Sequence, residues 1–324
     1  MKHFGKLMGA AFLAGCLLLT PGCAVPGSGG GKLEKYSSAQ RAVIASTERN
    51  RWEAAFGIGI LEMKTGEGTT FADELSSEVD GFMRDLRVVR AACGDQGVTL
   101  NRQEAKAAKS AAAEYDGSLT DAGRENLGGV SREEIQELYH DYLLAVKYAG
   151  ELSGSGPLEV SDSEAKVIRV LRAAADDQET AEKLREAAAA GKDFTAEARA
   201  LGLSPEECAV GRGECGTDDV EAKALEDAEF ALARGDVTGV MPSGGKYYVA
   251  KCIDDYDEEA TEERRERIGR QRVGAAMKKI CSSYGEPEEP EGTPASLAPA
   301  ESLPDCPPEA DFFAIFEKYR ADLS

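Results

Sequence analysis

The chain has 324 residues, and its 59 Asp and Glu against 38 Lys and Arg leave a formal charge of −21. That balance argues against a protein that reads nucleic acid or an anionic membrane surface, because phosphate recognition rests on clustered basic charge. Hydrophobic residues make up 42% and charged residues 30%, which allows a packed core of about two domains and excludes both wholesale disorder and a polytopic membrane protein. Only two His occur, His3 and His140. Multi-His metal sites and His-dependent triads are therefore nearly excluded, and no metal or cofactor is expected.

Residues 1–22 read as a signal peptide. Lys2 and Lys6 form a basic start, and an apolar run from Leu7 to Thr20 follows, too short for a spanning helix. A small residue before Cys resembles the lipobox of bacterial lipoproteins. Two cysteines compete. Leu13-Ala14-Gly15-Cys16 matches the motif letter by letter, but Cys23 uses the whole apolar run and opens onto Gly27-Ser28-Gly29-Gly30-Gly31. Cys23 is the preferred lipidation site, with residues 23–38 as a flexible tether; an ordinary secretory signal without lipid is the alternative. Cys93, Cys208, Cys215, Cys252, Cys281 and Cys306 remain. An extracytoplasmic place permits disulfides, free buried thiols fit equally well, and nothing in the sequence fixes a pairing.

Residues 39–155 read as a helical domain. Residues 40–64 suit a helix, and 69–93 a strongly amphipathic one, with Phe71, Leu75, Val79, Phe82, Leu86, Val89 and Cys93 on one face and Gly94 as its left-handed cap. Asn101 to Glu104 and Ser131 to Glu134 are capping-box starts of two further helices. Ile135, Leu138, Tyr142, Val146 and Ala149 make the apolar face of the latter, and His140 falls off it, as a surface residue.

Ser153 to Pro157 is a break. Beyond it, residues 160–257 read as a compact α+β domain of order β-α-α-α-β-β. The expected elements are a strand over 165–171, a helix from Asp176 to Ala190 stopped by Gly191, a short helix after Phe194 and a helix over 220–233. Strands over 237–240 and 247–253 close it, joined at Ser243-Gly244-Gly245. Residues 260–283 form a charged helix, Glu-rich first and Arg/Lys-rich later. Residues 285–308 hold seven of the twelve Pro and read as a linker. Residues 309–324 carry Phe312, Phe313, Ile315, Phe316 and Tyr319, a segment expected to dock back on the body.

The stretch Leu225-Glu-Asp-Ala-Glu-Phe230-Ala-Leu232, followed by Gly235-Asp-Val-Thr-Gly239 and Tyr247-Tyr248-Val249-Ala250-Lys251, resembles the parvulin-type peptidyl-prolyl isomerases. Val167-Ile168-Arg169-Val170-Leu171, Glu179 to Leu184, Gly191 to Phe194 and Gly211-Arg212-Gly213-Glu214 match other parts of that family in order, over residues 163–255. With the leader and the helical N-terminal domain, the whole resembles the PrsA-like and SurA-like extracytoplasmic foldases. The resemblance implies a helical chaperone domain, a parvulin domain, a lipid anchor on the outer face of the cell membrane, and unfolded exported polypeptides as partners. It also places the family's site residues. Arg169 and Tyr248 stand where the family has two His, Cys208 where it has Cys or Asp, Leu225 where it has a pocket Phe, and Cys215 near its pocket Met. With both His replaced, two readings stay open: an atypical isomerase, and a domain that only holds clients. A solute-binding lipoprotein is the remaining alternative, against which the chain is too short and too helical for two α/β lobes.

Overall fold

The computed structural model describes residues 33–65, 68–213, 219–288 and 303–323. The signal peptide with Cys16 and Cys23, most of the tether, Cys215 and most of the Pro-rich linker lie outside these residues. The fold is α+β, with two units: residues 1–155 with 272–324, and the intervening 156–271.

In the first unit, α1 (Ser38–Phe56) starts at a capping box in which the Ser37 hydroxyl and the Gln40 side chain satisfy each other's backbone N–H. It stops well short of residue 64. Gly57 and Gly59 take φ of 96° and 98°, and a 3-10 turn, Ile60–Glu62, follows. In α2 (Phe71–Gln96) the cap is Gly97 rather than Gly94. Gly94 tolerates helical φ and ψ, while Gly97 at φ 71° lets its own N–H reach Gly94 O and the Val98 N–H reach Cys93 O, a Schellman closure. Asn101 and Ser131 cap α3 (Arg102–Ser118) and α5 (Arg132–Ser153) as the sequence indicates; a short α4, Asp121–Asn126, lies between them.

The C-terminal helix α11 (Phe312–Arg320) packs on α3 and α1. Phe312 stacks on Tyr139 at 4.2 Å between ring centroids, and Phe316 meets Tyr142 edge-on at 4.5 Å. The backbone joins this packing, since Tyr139 Oη donates to Phe312 O at 2.9 Å and Phe312 N–H to Thr47 Oγ1 at 3.2 Å. Phe312, Phe313, Ile315 and Phe316 are buried.

The second unit begins with α6 (Asp162–Ala165) and is built on an antiparallel sheet of order β2-β1-β4-β3. β1 is Val167–Ala175, β2 Glu206–Gly211, β3 Met241–Ser243 and β4 Lys246–Asp254. The helices are α7 (Gln178–Ala189), α8 (Phe194–Ala200) and α9 (Val220–Phe230). The order is thus β-α-α-β-α-β-β, with a strand the sequence reading lacks. Glu206-Glu-Cys-Ala-Val-Gly is an edge strand with only Val210 and Gly211 buried, so it carries almost no alternating apolar signal.

Residues 237–240 do not form a strand. Val237 makes a single bridge to Lys251, and the Thr238 hydroxyl takes the Ala250 N–H that a neighbouring strand would need. The paired strand is Met241–Ser243, joined to β4 by Gly244 and Gly245, both at positive φ as a tight hairpin turn demands. One sheet face packs Ala173, Ala175 and Val249 against Leu184, Phe194 and Ala198. The other packs Ile168, Val170, Val210 and Ala250 against Phe230. The long helix α10 (Glu258–Ser283) starts in this unit, where the Thr261 hydroxyl accepts the Val167 N–H at 3.0 Å.

Candidate functional site

Successive side chains of a strand point to opposite faces, so the register assigns each residue its side. In β1, Val170 pairs with Cys208, Arg172 pairs with Ala250, and Ala174 pairs with Tyr248. Arg172, Cys208 and Tyr248 therefore share the face on which α9 packs. Leu225 is buried in α9, the helix that lies against β3 and β4. Arg169 falls on the opposite face, beside Ala209 and Glu207 of β2. Its guanidinium donates to Asp257 and, at 2.9 Å, to Glu207. The structure thus brings Cys208, Tyr248 and Leu225 to one side of the sheet and ties Arg169 down elsewhere.

The polar centre of that side is an ion pair. Glu229, one residue before the core Phe230, has no exposed surface. It accepts the Arg172 Nε–H at 2.8 Å and the Nη2–H at 2.7 Å. The Arg172 side chain keeps 28% of its exposure, and its Nη1 has no partner among the described residues. The bond to Glu229 raises the Arg172 pKa against the opposing effect of desolvation, and nearby Cys208 and Tyr248 act in the same direction as Glu229. Burial pushes the Cys208 thiol up, with Arg172 pulling the other way, so Cys208 stays protonated at neutral pH. Cys208 is a free thiol, as are Cys93, Cys252, Cys281 and Cys306.

The sequence reading passes over Arg172 and Glu229. A signal exists: Leu225 and Glu229 are four apart, so the carboxylate must lie on the buried face of its helix and needs a partner.

Chemically, this side holds an apolar floor of Ile168, Val170 and Phe230, one fixed guanidinium, a thiol and a phenol. No His stands among the described residues there, and the wholly buried carboxylate, Glu229, is taken up by Arg172. Nor do the described residues bring together three metal-ligating side chains. The arrangement suits hydrogen bonding to a neutral peptide group rather than proton transfer or covalent chemistry.

The first unit carries a different feature. Phe56 is 63% exposed, Ile58 95% and Met63 57%, around the glycines that end α1. The Trp52 ring lies 5.4 Å from that of Phe56 and 5.9 Å from that of Phe71. His140, on α5, is half-exposed with Nδ1 2.9 Å from Asp141. Among the described residues no helix is long and apolar enough to cross a membrane.

No family model and no curated protein sequence matches the chain. Solved structures do. The peptidylprolyl isomerase PrsA of Bacillus cereus is 18% identical over 68% of this chain and 88% of that one, with a TM-score of 0.36. PrsA of Bacillus subtilis is 16% identical over 71% of this chain and 95% of that one, with a TM-score of 0.23. The foldase protein PrsA of Streptococcus pneumoniae is 16% identical over 68% and 86%, with a TM-score of 0.24. The chain is an α+β protein similar to the PrsA foldases.

Proposed function

We propose that the chain is an extracytoplasmic foldase, anchored through a lipid on Cys23, that isomerises X-Pro bonds in exported, unfolded polypeptides and holds them in solution. The observation that carries this reading is the side of the sheet where Arg172, Cys208 and Tyr248 stand beside a buried apolar cluster, with the wholly buried carboxylate of Glu229 taken up by Arg172. Rotation about a prolyl bond needs no covalent step. It needs a site that binds the twisted imide better than the planar one, against a barrier of about 18–20 kcal/mol. Fixed hydrogen-bond donors in a partly desolvated setting supply that preference. Leu225 and Cys215 would line the proline pocket, and Tyr248 and Cys208 would donate to the peptide. Arg169, bonded to two carboxylates on the other face of the sheet, would stand outside this pocket.

Client holding is assigned to the exposed Phe56, Ile58 and Met63, since an apolar cluster of this kind in water marks a contact surface. The large negative charge keeps such a complex soluble. A domain that only holds clients is the second reading, favoured by the absence of His from the site.

Two assays on the intact protein decide between them: isomerisation of a proline tetrapeptide series and suppression of client aggregation. The expected result is acceleration that falls about tenfold in Tyr248→Phe, the loss of one transition-state contact. Aggregation suppression is expected to weaken in Phe56→Ser/Ile58→Ser/Met63→Ser and to persist in Tyr248→Phe. Suppression without any acceleration by the unmodified protein establishes the holdase and removes the enzyme.

A further inference from the structure

The ion pair between Arg172 and Glu229 asks for a purpose. Two charges taken out of water are expensive, and a well-packed apolar pair of similar volume is commonly as stable or more so. This pair sits under a half-exposed site rather than deep in the core, and its geometry is unequal. Glu229 is wholly buried and engages one edge of the guanidinium, through Nε and Nη2. The planar fork then places Nη1 on the edge away from the carboxylate. Arg172 keeps 28% exposure while Glu229 keeps none, so the accessible part of the pair belongs to the arginine. The arginine shares its side of the sheet with Tyr248 and Cys208.

We infer that Arg172, locked in place by Glu229, is the catalytic hydrogen-bond donor of this site and delivers an Nη1–H to the nitrogen of the prolyl imide as the bond twists. The inference rests on the proposed isomerase reading and names the group that performs it. In the planar imide the nitrogen lone pair is delocalised into the carbonyl, and the nitrogen is a poor acceptor. At the twisted geometry the lone pair is localised and accepts well. A donor fixed at the nitrogen therefore binds the transition state better than the ground state, which is the condition for catalysis. No bond to the protein forms or breaks, and every proton stays with its original atom. Glu229 is a positioning residue: its two hydrogen bonds remove the rotational freedom of a long side chain before substrate arrives.

The pair also sets specificity. Glu229 neutralises Arg172, so the donor brings no net positive charge to the substrate. Glu206, exposed on β2 and directly opposite Arg172 in the register, adds a negative charge on the same face. The substrate class that fits is X-Pro with a neutral or basic X, and an acidic residue before proline is disfavoured.

The test uses the full chain and peptides Xaa-Pro with Xaa Ala, Lys or Glu. Arg172→Met and Arg172→Lys are expected to lower kcat about 10- to 100-fold, with KM little changed, because the contact is made in the transition state. Glu229→Gln is expected to lower kcat less, having kept the shape but lost the orienting charge. Should single variants fail to fold, the double variant Arg172→Met/Glu229→Leu replaces the pair by apolar side chains. It is expected to fold and bind peptide without accelerating isomerisation. The unmodified protein is expected to act on Ala-Pro and Lys-Pro in preference to Glu-Pro, with a rate flat from about pH 6 to 8, where neither a guanidinium nor a protonated thiol titrates. If the unmodified protein accelerates isomerisation and the double variant does so equally, Arg172 is structural and the inference is overturned while the isomerase stands. If the unmodified protein shows no acceleration, the isomerase reading itself falls, and the inference with it.

Discussion

Among the described residues each unit buries one carboxylate completely, and the two are treated in opposite ways. In the first, Asp141 on α5 accepts from Tyr36 Oη at 2.7 Å and from Arg90 Nη1 at 2.8 and 2.9 Å, and its Oδ1 lies 2.9 Å from His140 Nδ1. Burial alone would raise its pKa, but the bonds from His140, Arg90 and Tyr36 bring it below the usual aspartate range. Its partners come from the segment before α1, from α2 and from α5 itself, so the group fastens three parts of the chain. In the second unit Glu229 takes one side-chain partner among the described residues, and that partner has a donor to spare there. A saturated carboxylate holds a structure together, whereas a pair with an unused donor on a half-exposed face is equipped to bind something.

The cores differ in the same spirit. The first unit interlocks large rings, Phe82, Tyr115, Tyr139, Tyr142, Phe312 and Phe313. The second is lined with Ala173, Ala175, Ala181, Ala188 and Ala198, which lets its helices lie close on the sheet.

The sharpest way to break the comparison is to remove each carboxylate. Asp141→Ala leaves the buried Tyr36 Oη without its acceptor and Arg90 with Glu137 alone, and is expected to destabilise the first unit by about 3–5 kcal/mol. A chemical denaturation curve checks this. The contribution has a pH signature. Because the folded pKa of Asp141 lies below the unfolded value near 3.9, the stabilisation is complete above about pH 4–5 and is lost as pH falls through the folded pKa. Acid unfolding of the unmodified protein should therefore be steeper than that of Asp141→Asn. An equal slope would show that Asp141 does not carry the acid transition.

Much of this molecule is legible locally. The capping boxes at Asn101 and Ser131 and the start within Asp176 to Glu179 are each written within four residues, and the helices start there, the last with Asp177 as its cap. What the sequence hides is non-local. The strand β2 is defined by its pairing with β1, not by its own apolar pattern. The end of α2 turns on which of two glycines takes positive φ, a choice made by the hydrogen bonds of the following Val98. The ion pair joins residues 57 apart in the chain, and nothing near Arg172 announces its partner. Leu225, Cys208 and Tyr248 come from family resemblance, and the register is what sets Arg172 beside them.

A smaller effect probes how tightly the second unit is closed. A Cβ on Gly211, at the end of β2, would collide with the guanidinium of Arg264. Arg264 reaches from α10 to Glu164 O, at 3.1 Å, and to Arg212 O, so it cannot yield without giving up those bonds. Gly211→Ala is expected to cost about 1–3 kcal/mol by overpacking, read as a lower midpoint of the second unit's unfolding. No loss would mean that Arg264 has room to move aside.

The smallest expected effect is a gain. Glu48 in α1 is half-buried near Asp311 and Glu78, with the Arg51 charge opposing them, and its carboxyl is pushed up to about 7. Burial is the main cause, the Arg51 charge lowers the value, and the two neighbouring carboxylates raise it. A carboxyl whose pKa is higher in the folded chain than in the unfolded one takes up a proton on folding. It therefore costs stability above about pH 7, and the cost disappears as pH falls toward the unfolded value near 4.3. Glu48→Gln removes the charge while keeping the shape. It is expected to stabilise the first unit at pH 8 by roughly 1–2 kcal/mol, less than the full shift implies because the side chain is still partly in water. At pH 5 the variant and the unmodified protein should have nearly equal stability. Denaturation midpoints at the two pH values check both statements. A variant that gains as much at pH 5 as at pH 8 would show that the benefit comes from packing, leaving Asp141 as the only one of these two carboxylates whose charge governs the stability of the helical unit.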